Sequence, residues 1–249
     1  MKAFAVLALV LALAAGCTTR IYSPPSRVSL LESSRALDAG ETTVRAGGGG
    51  ASYDFGAALA HGSVKVRHGV GDGLELHAEG MAAFLLAESA TNPHPGIYGL
   101  RVGVKHQPVP DVPHFALFGG IGGGGSAGGG FIAPDLGFIV AWENPYFVPF
   151  LSGFLGMSVP IAPKSVDLSK PDEGPGAQVI EPQLTFLYGA SLGARIPILG
   201  EADTPDLQLL IGLDFTGLHS SYSGNDITRE GESQGNAFLG ASGAIEYLF

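Results

Sequence analysis

Charge is what this chain has least of. Asp, Glu, Lys and Arg make up only 14% of its 249 residues, against roughly 25% in ordinary soluble proteins. The charge present leans acidic, with a formal net value of −10. No basic stripe interrupts it, which speaks against a nucleic-acid partner. There is a single cysteine, Cys17, so an intramolecular disulfide and a cysteine-based zinc cluster are both excluded. No apolar run reaches the about 20 residues of a membrane-spanning helix. Seven histidines are present, but none forms His-x-x-x-His or His-Glu-x-x-His. Gly120 to Gly125 matches a Gly-x-Gly-x-x-Gly spacing. With no Lys-Ser/Thr after it and no helix start, it reads as a hairpin tip or a bend in a wall rather than a phosphate loop. The sequence therefore gives no sign of a cofactor, and an enzyme is not expected.

What is abundant is glycine, 39 residues, and patterned apolar sequence, 45% of the chain. Val64, Val66 and Val70 share one parity, and Lys65 and Arg67 the other. After Gly71-Asp72-Gly73, Leu74, Leu76, Ala78, Ala82 and Phe84 alternate with Glu75, His77 and Glu79. This is the period-2 signature of a hairpin with one apolar and one charged face. The pattern recurs, and punctuation by Gly, Pro and Asp divides the chain into ten candidate strands. They are Thr42–Asp54, Ser63–Val70, Leu74–Phe84, Ile97–His106, Phe115–Gly123, Gly130–Trp142, Tyr146–Met157, Gln183–Ile196, Leu207–His219 and Asn236–Phe249. Most exceed the roughly 5–6 residues of soluble strands and approach the roughly 9–11 of a tilted spanning strand. Two connections, Ser158–Pro182 and Ser220–Gly235, are long and polar, while Gly71–Gly73 and Glu143–Pro145 are short. Long connections at one end and short turns at the other are the habit of outer-membrane barrels. The expected fold is all-β: an antiparallel up-and-down transmembrane β-barrel of about ten strands over residues 41–249.

Before the barrel, Lys2 is followed by the apolar stretch Ala3–Ala15 and then Gly16-Cys17. This has the build of a signal peptide, 1–16. Ala14-Ala15-Gly16-Cys17 resembles the bacterial lipoprotein lipobox, with Ala14 where leucine is usual. The resemblance implies cleavage before Cys17 and lipidation of Cys17, with lipoprotein-processing machinery as partner. Residues 17–40, with Pro24-Pro25 and several serines, read as a lipid-anchored tether, in which Val28-Ser29-Leu30-Leu31 with Leu37 could make a short helix or pack under the barrel. With ten strands both ends of the barrel domain fall on the short-turn side, which would put Cys17 on the periplasmic side. At the other end, Ile245-Glu246-Tyr247-Leu248-Phe249 resembles the carboxy-terminal signal of bacterial outer-membrane proteins. In that family Tyr247 and Phe249 would be read by the barrel-assembly machinery.

With the apolar faces toward lipid, the lumen holds Lys65, Arg67, Glu75, His77, Glu79, Arg101, Lys105, Asp135, Arg195, Asp214 and Glu246. Lys65 and Arg67 sit beside Glu75 and Glu79, and Arg101 and Lys105 across from them. A barrel near eight strands is filled by its own side chains, whereas aqueous channels need about 16–18. The expected function is therefore an outer-membrane lipoprotein barrel, in contact with membrane lipids, with a structural or partner-binding role at its external loops. Two alternatives stand beside it: a narrow channel or carrier for small solutes, and a soluble periplasmic β-barrel lipoprotein. A rim hydrolase built on His61, His94, His219, Asp54 and Asp226 has no local motif behind it.

Overall fold

The computed structural model describes residues 23–53, 58–86, 96–109, 114–144, 146–167, 179–180, 182–200, 205–221 and 233–249. The proposed signal peptide, Cys17, Asp54, His94, Asp226 and most of the two long connections lie outside the described residues. Seven strands come first: β1 Thr42–Tyr53, β2 Ala58–Gly71, β3 Leu74–Leu85, β4 Gly96–His106, β5 Phe115–Ser126, β6 Gly129–Ala141 and β7 Val148–Ile161. A two-residue pair follows, β8 Val166–Asp167 with β9 Val179–Ile180, and then β10 Thr185–Gly200, β11 Pro205–Ser221 and β12 Ser233–Leu248. Apart from the small β8–β9 ladder, each strand pairs antiparallel with its neighbours in sequence. β1 pairs with β12, which closes a barrel of ten strands.

Local chemistry sets the turns. Asp72 and Gly73 both have positive φ, 52° and 70°, as a two-residue type I′ hairpin requires. Between β6 and β7, Asn144 Oδ1 accepts hydrogen bonds from the backbone N–H groups of Tyr146 and Phe147, at 3.1 and 3.0 Å. This Asx turn delays the start of β7 to Val148, two residues later than the sequence pattern suggests.

The polarity of the barrel is inverted relative to a soluble one. Val64, Val66, Leu76, Leu100, Val102, Leu136, Leu155, Leu192 and Leu213 face outward and are exposed, while the charges between them are buried. Exposed aromatics gather at the two ends of this belt. Trp142, Tyr146, Phe147, Tyr247 and Phe249 stand at the short-turn end, with Tyr247 and Phe249 edge to face at 4.8 Å. Phe84 packs on Tyr98 and Tyr188 on Phe215 toward the other end. An apolar band between aromatic girdles is the exterior of a membrane barrel.

The glycine-rich stretch is not the hairpin tip. β5 stays paired through it without a register shift to Ser126, and the turn is Ala127-Gly128. The inward glycines are there for clearance. A Cβ on Gly120 would stand 2.5 Å from the Arg101 guanidinium, and one on Gly122 2.5 Å from Ser26 Cβ.

Arginine on the lipid face of such a barrel costs about 2–4 kcal/mol at mid-membrane depth. Leu100 lies mid-strand and is 74% exposed. Leu100→Arg should therefore lose about that much in equilibrium refolding into lipid vesicles, and Leu100→Ile almost nothing. Equal stability of the two variants would mean that this face does not meet hydrocarbon.

Candidate functional site

The lumen has two halves, because the inward positions of neighbouring strands differ in kind. On β1 to β4 and the end of β12 they are charged: Arg45, Lys65, Arg67, Glu75, His77, Glu79, Arg101, Lys105 and Glu246 are all buried. On β5 to β7 they are largely apolar and on β10 and β11 mixed, and Phe118, Ile139, Val148, Phe150, Phe154, Leu187 and Leu210 form one cluster. This is why β7 reads as apolar on both sides: Phe150 and Phe154 face the interior while Leu151 and Leu155 face outward.

Register places opposite charges on adjacent rungs, with Lys65 across from Glu79, Glu75 across from Lys105 and Glu79 across from Arg101. Arg67 grips Glu75 with two nitrogens, at 2.7 and 2.6 Å, and reaches Glu246 at 2.7 Å. Lys105 meets the same Glu75 at 3.0 Å. Arg101 turns away from its cross-strand acid and holds Asp135 of β6 in a fork, at 2.7 and 2.6 Å. Forked guanidinium–carboxylate pairs of this kind are the strong ones. Arg195 pairs with Glu143 near the short-turn rim. Asp214 accepts from Ser242 at 2.5 Å.

The remaining partners come from the amino-terminal segment. In its described part, Ser23–Gly40, the stretch expected as a tether is a strap that crosses the inside of the barrel. Its Ser23 end lies at the long-connection mouth, where Ser23 N–H donates to Thr185 Oγ1 at 2.9 Å and Ser158 donates to the Pro24 carbonyl at 2.6 Å. Midway, Leu30 N–H donates to Asp214 at 3.2 Å, and the Leu30 carbonyl accepts from Ser152 at 3.2 Å. Arg45 donates to the Leu31 carbonyl, and Lys105 to those of Ser33 and Arg35 at 3.3 and 2.8 Å. Near the short-turn mouth, Ala36 N–H donates to Gln107 at 2.9 Å and Gly40 N–H to the Gly69 carbonyl at 2.9 Å. The strap has no ladder of its own, so wall side chains satisfy its backbone.

Its side chains match the two halves. Leu30 and Leu31 join the apolar cluster, and Leu31 lies over Gly212, where a Cβ would stand 2.7 Å away. Arg27 donates to Asp135 at 2.8 Å with its guanidinium 4.5 Å from the Phe118 ring centre. Glu32 is the partner of Lys65. Donor atoms of Glu32, Glu75 and His77 lie within 4.8 Å of one another. Lys65, Arg67 and Lys105 already neutralise those two carboxylates, so the donor set does not suit a metal ion.

The rim histidines do not converge. His61 faces the interior with Nε2 3.3 Å from Ser242 Oγ, and His219 lies exposed on the opposite parity of β11. Of His61 and Ser242 it is Ser242 that bonds Asp214, so the order of a catalytic triad is absent from this Ser, His and Asp.

No family model matches the chain, and no curated protein matches it. Among solved structures it is similar to Neisserial surface protein A, with 13% identity over 83% of this chain and 95% of that one, TM-score 0.40. It is also similar to the β domain of the Bordetella autotransporter BrkA, with 11% identity over 84% and 99% and TM-score 0.44. An outer-membrane channel from Pseudomonas putida F1 shares 13% identity over 90% and 100%, TM-score 0.44. Likeness this distant carries no functional assignment, which rests on the geometry of the lumen.

Sequence reasoning about the wall could not supply Arg27 and Glu32, because a polar segment before a barrel reads as solvated. A count of inward charges does not reveal them either, since the five basic and five acidic residues expected in the lumen already balance. Removing one member of a buried pair typically costs about 3–5 kcal/mol, whereas replacing both with apolar groups is often neutral. Lys65→Met should show that loss in chemical unfolding from detergent, and Lys65→Met with Glu32→Leu should regain most of it. A double variant as unstable as the sum of the singles would mean that the two residues are not coupled.

Proposed function

We propose that the protein is an outer-membrane β-barrel whose own amino-terminal strap fills its lumen, and that it acts as a structural or partner-binding element at its mouths and not as a conduit. The observation that carries this reading is the strap itself: Ser23, Ser26, Arg27, Leu30, Leu31, Glu32, Ser33 and Ser34 are all buried among inward wall residues. Passage of a solute would require breaking the Arg27–Asp135 and Lys65–Glu32 pairs and opening the packed Leu30–Leu31 contact together. The outward apolar belt and its aromatic girdles support insertion in a membrane and speak against the soluble alternative. Tyr247 and Phe249, outward at the seam where β12 meets β1, suit recognition by the barrel-assembly machinery. Lipidation of Cys17 belongs to the same proposal and rests on the lipobox resemblance.

Planar-bilayer recording tests it. The full-length protein should give no steady conductance, and a large stable conductance would instead establish a channel. Gly122→Leu drives a side chain into Ser26 and should dislodge the strap. This variant should conduct measurably above the parent; a silent, correctly folded Gly122→Leu barrel would show that the strap is not what closes the lumen.

A further inference from the structure

The strap has a direction, and that direction decides where the chain ahead of it goes. Gly40 N–H donates to the Gly69 carbonyl beside the Asp72–Gly73 turn, and Gly69 N–H donates to the Glu41 carbonyl. The strap therefore leaves the lumen at the short-turn mouth and passes directly into β1. Its other end is held by Thr185, the first residue of β10, and by Ser158 near the end of β7. Those two residues flank the long connection, at the opposite mouth. Between them the strap spans the full height of the barrel, anchored at Ala133, Asp135, Asp214, Lys105 and Gln107 on the way.

We infer that the chain is threaded through its own barrel, so that the segment before Ser23 emerges at the long-connection mouth, on the cell surface, and a lipid on Cys17 lies in the outer leaflet. The inference rests on the membrane-barrel reading, with short turns in the periplasm. It reverses the side that the sequence suggested for Cys17. Covalent geometry leaves little room otherwise. Cys17 precedes Ser23 by six residues, a reach of about 20 Å when fully extended. The eleven residues of β4, tilted by about 40°, separate the two mouths by about 28 Å. Six residues could not climb over the rim and return to the periplasmic leaflet outside the barrel.

The short peptide ahead of Ser23, with Arg20 and the proposed lipid on Cys17, is then displayed outward beside the long connections.

Single introduced cysteines and a membrane-impermeant maleimide test this on intact cells expressing the full chain, with the parent chain as the blank. Ala127→Cys, in the exposed turn between β5 and β6, and Asp72→Cys, in the opposite turn, establish the orientation of the barrel. The membrane reading requires that Ala127→Cys label on intact cells and Asp72→Cys only after permeabilisation. With that pattern in place, Thr19→Cys should label on intact cells to the same extent as Ala127→Cys. Labelling of Thr19→Cys only after permeabilisation would overturn the threading while leaving the membrane barrel intact. Failure of the Ala127 and Asp72 pair would instead bring down the membrane reading itself.

Discussion

Charges turned away from lipid must find partners inside, and the rest of this structure follows from that requirement. An unpaired charge in a membrane barrel's interior would be expensive, and the wall of β1 to β4 carries many. Cross-strand register supplies some partners, such as Glu75 for Arg67 and Lys105. Lys65, by contrast, is answered by Glu32, and Asp135 is shared between Arg101 and Arg27. Wall and strap are thus incomplete without each other. The strap's backbone would be unsatisfied in a dry lumen, and several of the wall's polar groups find their partners on the strap.

Making room for a peptide inside ten strands required small residues at chosen inward positions. Gly122 clears Ser26, Gly212 clears Leu31, and Gly120 clears the Arg101 fork. Three other inward glycines are covered by a phenylalanine from the neighbouring strand: Gly137 by Phe118, Gly189 by Phe154 and Gly193 by Phe150. Aromatic cover of this kind restores the packing that glycine gives up. Part of the high glycine content therefore serves the filled lumen.

Much of the barrel is readable without coordinates. The alternation of Val64–Val70 and Leu74–Phe84 carries its own face assignment, since neighbouring residues in a strand point to opposite sides. Asp72-Gly73 marks its own turn. Ten strands follow from repeating that reading, and the structure contains them, with shifted ends where local bonding intervenes, as Asn144 does before Val148. The strap was not readable in the same way. Its proline and serine content is what a solvated linker has; Leu30, Leu31 and Leu37 hint at packing against the barrel, but nothing within Ser23–Leu37 names partners across its interior.

The sequence by itself determined which residues face lipid and which face inward, because strand parity is a local property with a period of two. It also determined that the interior would carry charges of both signs. Only the tertiary structure decided how those charges are matched, since Arg27 meets Asp135 across 108 positions and Ser23 meets Thr185 across 162. No local pattern encodes such pairings. They arise when a closed wall surrounds a segment whose unpaired backbone and charges have nowhere else to go, and that closure also sets the mouth from which the amino terminus leaves.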